Sequence, residues 1–549
     1  MPLPIIPRGG GPRQGKWARC VENSAPRQGP LALTFAPVAV SCRYPASPTS
    51  GIPFMQQQAN ERGKWMALVA ALLGWLFDGF EMGLFPLVGR PALADLLRQS
   101  GEAVDDKAVS FWFSIATAAF LIGAAAGGVV FGWLGDRIGR VRAMTLSILT
   151  YALCSAMGGF AAAPWHMVFI RFIAALGMGG EWSLGVALVM EVWGGRSRAV
   201  LAGLIGAAAN VGYMLVAVLS LGLGSVRAGL GEMGLSREWV DWRLLTVCGA
   251  LPALLTFFIR LMVPESQSWE REKARGATSS WASGDLLAVL GGVGICTLLL
   301  VVWQMTDNTP IRLAATFVAT VLVAGCFLVP ILGYLRRAGE PDEVRRTLIR
   351  RMLLGALVCG IPLLGTWGCV QWASVWASQL AARATEIDPA LTDDVRHWKE
   401  YTQLAGAFGA VVGCMGGALL AGWIGRRIAY CILCITSFAA VYAFYRVNTT
   451  FDTTFVVTAF LAGTTSAAFY GWIPLYLPEL FPTRVRATAQ GFAYNFGRIL
   501  AAVGVLQVPA LMGVPPNYAT ACSWLAFIYV AGLGAIWLLP ETMGQALPE

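Results

Sequence analysis

The sequence predicts an all-α polytopic membrane protein: two six-helix halves with a further helix pair inserted between them. Three observations carry this. Of 549 residues, 56% are hydrophobic and only 13% charged, against roughly 25% charged in a soluble domain. The apolar residues are gathered into about fourteen runs near the ~20 residues that cross a bilayer as a helix. A similar short loop also stands at corresponding places in the two halves, "GWLGDRIGRVR" at 132–142 and "GWIGRR" at 422–427. Only helices and closed barrels satisfy the backbone in lipid, and barrels lack such long unbroken apolar runs.

Residues 1–62 form a basic N-terminal extension, rich in Pro, Gly and Arg and without a period, which reads as disordered. Its apolar piece, Leu31–Val40, is too short to span and makes a poor signal peptide. Met55, opening the short polar lead "MQQQANERGKW", reads as the native start; N-terminal sequencing of protein made from its own gene tests this. The first half, 63–264, holds runs at Trp65–Val88, Phe111–Trp133, Ala143–Phe160, Met167–Trp193, Ala199–Gly222 and Leu244–Val263. A charged linker opens the segment 265–344, which carries the inserted pair, Leu286–Met305 and Leu313–Tyr334. The second half, 345–549, begins with a basic hinge (Arg345, Arg346, Arg350, Arg351). It continues with Met352–Ala377, Leu404–Ile424, Tyr430–Tyr445, Phe455–Leu477, Ala487–Met512, Ala519–Leu539 and a short tail.

The formal net charge is +9, but the basic residues cluster between apolar runs, which suits anionic lipid headgroups rather than nucleic acid. With both termini cytoplasmic, Arg137, Arg140, Arg142, Arg196, Arg198, Arg271, Lys273, Arg426, Arg427, Arg484 and Arg486 fall inside. The opposite loops at 161–165, 307–310 and 513–518 hold no Lys or Arg, so the positive-inside rule is satisfied with both ends inside, and the expected location is the cell inner (cytoplasmic) membrane. The twelve Cys lie mostly in apolar runs, with one C-x-x-C at Cys431 and Cys434. The only histidines, His166 and His397, sit near loop ends. These residues offer neither a metal site nor a nucleophile–base set, so no metal, cofactor or enzymatic activity is expected. No G-x-x-x-x-G-K-[ST] is present, which disfavours ATP as the driving force. The paired halves and their loops argue against a channel.

The loop after the second run explains its own composition. Gly132, Gly135 and Gly139 permit tight turns and close helix approach, while Asp136, Arg137 and Arg140 can pair with one another and with a facing helix end. Such a latch holds one conformation and breaks in another. "G-W-L-G-D-R-I-G-R" resembles the G-x-x-x-D-R-x-G-R loop of the major facilitator superfamily. "RFIAALGMGGE" (171–181), "VPES" (263–266), "PELFPTRVRATAQG" (478–491) and "PETMGQALPE" (540–549) are similar to further phrases of that superfamily. The resemblance covers 62–549 and implies the major facilitator fold and secondary active transport. "DGFEMGLFPLV" (78–88) resembles the metabolite:proton symporters. The inserted pair, "GAVVGCMGGALLAGWIGRRIAY" and "GFAYNFGR" resemble the bacterial sialic acid transporters. Departures are Glu81 where the family usually has Asp, Arg498 and Glu181 against the sialate pattern, and Arg426 in the place of Asp136. The last of these predicts a weaker second latch.

Residue by residue, Asp78 and Glu81 sit deep in the first run at i,i+3, where charge is costly and marks a proton or substrate path; the alternative is a structural carboxylate. Arg171 either modulates their protonation or pairs with one of them. Glu181 lies near mid-membrane on the same run as Arg171, with Gly177, Gly179 and Gly180 for packing or bending. Asn495 and Arg498 read as substrate ligands, the Arg as a carboxylate clamp, or as part of an inner-gate charge pair. Asn210 and Tyr213 bond either a substrate or neighbouring helices; Gln371, Trp372 and Trp376 either line the cavity or fill the bundle. Glu191, Arg196, Arg484 and Arg486 join the latch side, Glu191 forming one network with the Asp136 loop. The function expected is proton symport of a small organic anion, sialic-acid-like or another carboxylate metabolite. The alternatives are a sugar or aromatic-acid porter, or, in another class, a membrane receptor or enzyme.

Overall fold

The computed structural model describes residues 54–549 apart from 103, 194–196, 233–241, 252–262, 264, 307, 513–516 and 549. Residues 1–53, Arg196 and most of the expected sixth span therefore lie outside the described residues. Thirteen helical stretches among the described residues are long and apolar enough to cross a membrane, and none of the described residues forms a strand.

The first half comprises α1 (Phe54–Gln99), α2 (Asp106–Ile138), α3 (Arg140–Met157), α4 (Pro164–Val192), α5 (Ser197–Glu232) and the short α6 (Leu244–Val247). The helix α1 starts at Phe54, so residues 54–62, read above as part of a disordered extension, are helical. A charged linker helix, α7 (Gln267–Ala274), leads to the inserted pair α8 (Leu286–Met305) and α9 (Thr309–Arg337). The second half holds α10 (Asp342–Gly368), α11 (Ala373–Ile387), α12 (Trp398–Ile424), α13 (Arg426–Val447) and α14 (Thr453–Leu480). It ends with α15 (Arg486–Leu511), α16 (Tyr518–Leu525) and α17 (Ile528–Ala535).

Local chemistry sets several boundaries. Asp105, Ser266, Asn308 and Asp452 accept backbone N–H groups of the helices they open, satisfying donors that a helix start leaves free. Gly139 (φ 115°) separates α2 from α3, and Gly425 (φ 97°) separates α12 from α13. Both are conformations that a side chain disfavours. The run Met352–Ala377, expected as one span, is broken. After α10, Cys369 leaves helical geometry and a single 3₁₀ turn, Val370–Trp372, precedes α11. The exposed backbone is satisfied within the protein: Tyr445 Oη donates to the Cys369 carbonyl at 2.7 Å, and Trp372 Nε1 to that of Trp367 at 3.1 Å. Broken helices at membrane depth are tolerated where protein or a cavity surrounds them.

The halves meet along two seams, α2 against α15 and α5 against α12. Small residues allow this closeness: a Cβ on Gly132 would lie 2.9 Å from the Ala487 carbonyl oxygen. Within the first half, a Cβ on Gly179 would overlap the Ala124 carbonyl, so this glycine is there for packing of α4 on α2. The inserted pair lies beside the first seam, α8 against α2 and α9 against α15.

Candidate functional site

A cavity of about 150 Å³ lies between the halves. From the first half it is lined by Trp75 and Asp78 on α1, Trp182 on α4, and Asn210 and Tyr213 on α5. Gln371 on the 3₁₀ turn, Gln403 on α12, and Tyr494 and Arg498 on α15 complete its polar wall. Arg498 is buried, and its Nε and Nη1 have no hydrogen-bond partner among the described residues. Its guanidinium lies 5.1 Å from the Tyr494 ring, which stacks on Trp182 at 3.7 Å. Asp78 stands within electrostatic reach of Arg498 and beside Glu181, which also neighbours Tyr151.

Glu81 does not share this site. Three residues along a helix turn the side chain by about 60° around the axis. That turn carries Glu81 away from the cavity to Arg171, 3.4 Å away. Arg171 is held between the Phe85 and Phe120 rings at 4.0 and 4.9 Å. The close acidic pair is thus Asp78 with Glu181, while Arg171 takes the pairing role with Glu81.

Other expected ligands divide. Tyr213 and Gln371 both line the cavity and bond each other across the halves, Gln371 Nε2 donating to Tyr213 Oη at 2.5 Å. Asn210 lines it too but donates to Gly206 of its own helix, 2.9 Å. Asn495 does not line it. Its Nδ2 donates to the carbonyls of Gly179 (3.0 Å) and Gly491 (3.1 Å), tying α15 to α4. Trp372 and Trp376 are filling: the first stacks on Tyr518, the second packs among Phe444, Tyr445 and Phe455.

At one end of the molecule the Asp136 loop builds a buried network. Arg140 Nη1 meets Asp136 at 2.6 Å, and Arg140 Nη2 lies 3.6 Å from Glu191. Glu191 also pairs with Arg486 at 3.1 Å, across the seam. Asp136 accepts from Thr488 N (2.9 Å) and Thr488 Oγ1 (2.5 Å), again across the seam. Glu265 receives the N–H groups of Arg140 and Val141, and Ser266 Oγ donates to Glu191 at 2.6 Å. Arg137 and Arg484 stay outside this network: Arg137 donates to Ser283, and Arg484 pairs with Glu340 at 2.6 Å.

The second half repeats the pattern in a different register from the one its sequence suggests. Gly425 and Arg426 occupy the place of Gly139 and Arg140, so Arg426 corresponds to Arg140 and Gly422 to Asp136. Matching the two "GW" pairs misplaces the loop by one helical turn, because the positive-φ glycine, not the tryptophan, fixes the bend. Arg426 is no weak substitute. It meets Glu479 twice, at 2.7 and 3.1 Å, and its N–H and that of Arg427 go to Glu541, each at 3.0 Å. Thr542 Oγ1 donates to Glu479 at 2.5 Å, as Ser266 does to Glu191.

A family model described as "Sugar (and other) transporter" matches residues 66–284. A structure of the proton:xylose symporter XylE, from E. coli, covers 89% of this chain and 98% of its own at TM-score 0.58 and 16% identity. The chain has the all-α polytopic fold of the major facilitator superfamily. A "Putative metabolite transport protein" of Haemophilus influenzae is 25% identical over 90% of this chain and 100% of that one. A "Probable 4-methylmuconolactone transporter" of Cupriavidus pinatubonensis is 27% identical over 87% of this chain and 91% of the relative. The proteins it resembles are named as transporters, not as enzymes.

Sequence reasoning missed several residues of these sites: Gln403, Trp75, Trp182 and Tyr494 in the cavity, and Glu265, Glu479, Glu541 and Thr488 in the end networks. Gln403 had a signal, a lone amide one turn inside an apolar face. The four network residues stand in or beside the phrases that mark the superfamily, yet nothing local says which helix start or cation they serve.

Proposed function

We propose that this transporter is a proton symporter that carries a small organic anion by alternating access. The observation that carries this reading is Arg498: a buried, cavity-lining guanidinium with two nitrogens unpartnered among the described residues, within electrostatic reach of Asp78. A buried cation whose hydrogen bonds are incomplete is costly, and a substrate carboxylate supplies what it lacks. Asp78 and Glu181 side by side repel when both are charged, so a proton held between them is the load that the site is built to take. Protonating Asp78 also removes Arg498's competitor, freeing the guanidinium for the substrate. This gives each ligand a differential affinity for one state, as coupling requires. Gating follows from the two seams, with the Asp136 network as the latch on the cytoplasmic side of an inner membrane and both termini on that side. The relatives named for metabolites and for 4-methylmuconolactone support the organic solute, and the neighbour named a proton:xylose symporter supports the proton.

The test is uptake of labelled benzoate, sialic acid and a neutral hexose into proteoliposomes under an inward proton gradient. Wild type is expected to accumulate an acid but not the hexose. Asp78→Asn should abolish the gradient dependence and Arg498→Ala the uptake. Gradient-driven uptake of the hexose alone would replace the anion reading with a sugar porter. Acid uptake that ignores the gradient would remove the proton.

A further inference from the structure

Gln403 has no counterpart among the residues that the function above uses, and its surroundings are unusual. It is buried on α12, lines the cavity, and its Nε2 donates to two carbonyls of the other half, Gly83 on α1 (3.2 Å) and Tyr213 on α5 (3.1 Å). Those two acceptors fix which end of the amide is which, since only an NH₂ group can serve both. Oε1 is therefore the atom left over, and it is buried with no hydrogen-bond partner among the described residues. A side-chain amide oxygen left unmatched inside a protein is costly. The same cavity holds the opposite need in Arg498 Nε and Nη1 and Trp75 Nε1, all donors without acceptors.

We infer that Gln403 is a specificity-determining residue that reads a hydrogen-bond donor on the substrate, so that the transported anion is a compact hydroxylated or N–H-bearing carboxylate. This rests on the organic-anion reading above and adds a second point of contact to it. The carboxylate goes to Arg498 and the donor group to Gln403 Oε1, which matches the unpartnered groups on the two sides. Size narrows the class further. A cavity of about 150 Å³ is the volume that holds one benzene-sized ring, and its Trp75, Trp182 and Tyr494 walls suit a flat solute. Because the N–H bonds of Gln403 join α12 to α1 and α5, a substrate seated on its oxygen also sits on a contact between the halves.

The probes are benzoate and 2-, 3- and 4-hydroxybenzoate, which differ only in one hydroxyl and its position. Binding to the purified full-length transporter is followed by quenching of tryptophan fluorescence. In wild type, at least one hydroxybenzoate should bind about tenfold tighter than benzoate, the worth of one matched buried hydrogen bond. Gln403→Met removes the acceptor at similar volume and should bring the ratio to about one. Gln403→Glu keeps an oxygen acceptor while losing both N–H bonds, so it should retain the preference even where it weakens every ligand. The ratio is read within each variant, so a change in fold that weakens all four acids alike does not move it. Equal binding of all four acids by wild type, or an unchanged ratio in Gln403→Met, overturns the role of Gln403 and leaves the anion reading standing. Failure of wild type to bind any of the four takes down the carboxylate reading and this inference with it.

Discussion

The two charge networks at the latch end share a plan and differ in what they join. Each has a glycine bend, an arginine at the next helix start, a glutamate at the end of the helix after that, and a Glu-Ser or Glu-Thr pair capping the bend. In the first half this assembly reaches across the seam, through Asp136 to Thr488 and Glu191 to Arg486. In the second half the corresponding glutamate, Glu479, is bound by Arg426 and Thr542 of its own half. Arg198, at the start of α5 as Arg486 is at the start of α15, donates to the Trp193 carbonyl and meets Glu479 only through space. The same parts thus join the two halves in one place and brace a single half in the other. Under the alternating access proposed above, only contacts that cross the seam would break, which is why Asp136 is assigned the latch.

That comparison is open to attack by substitution, and the largest effect belongs to the brace. Arg426→Ala leaves Glu479 buried without its cation, and removing one partner of a buried pair costs about 3–5 kcal/mol. A strong fall in melting temperature is expected, with little change in which end of the molecule is open. Thiol-labelling of a cysteine placed at the latch end reads the second quantity. Arg486→Ala should do the reverse, raising labelling of that cysteine several-fold while costing less stability, since Arg140 still faces Glu191. Equal labelling in the two variants would erase the distinction between latch and brace.

A double-mutant cycle on Asp136→Asn and Glu191→Gln measures whether the first network acts as one unit. Both carboxylates share Arg140, so a coupling of about 0.5–3 kcal/mol is expected. Full additivity would separate them.

The smallest effect concerns Glu541, which lies beyond the last span. Partial burial pushes its carboxyl up. The N–H groups of Arg427, Arg426, Met543 and Thr542 outweigh this and hold it below the usual carboxylate range. A group held down in the folded state contributes stability above its unfolded value and loses it as pH falls through the folded one. Glu541→Gln should therefore lower stability by about 1 kcal/mol near neutral pH, the scale of a lost helix cap. The gap to wild type should close well below the ordinary Glu value of about 4.3. A gap that persists in acid would assign the loss to shape rather than charge.

Spans, the inserted pair and the Asp136 loop were legible in the sequence because a bilayer imposes a length on every crossing, and length is a local property of the chain. The superfamily phrases at 263–266 and 540–549 could be found the same way, but not their task of capping helices that begin more than a hundred residues earlier. Asp78 and Glu81 show the limit most clearly. One turn of one helix holds both, yet one faces Arg498 and Glu181 while the other leaves for Arg171. In a soluble helix the apolar stripe would have indicated which face turns inward. In these helices every face is apolar, against lipid or against protein, so periodicity carries no such signal. The sequence by itself determined that the chain is a bundle of membrane-crossing helices, where the Asp136 loop stands and which charges are too costly to be idle. Only the tertiary structure decided which charges meet, because partners chosen by helix rotation and by the seam between halves are set by packing across the whole molecule.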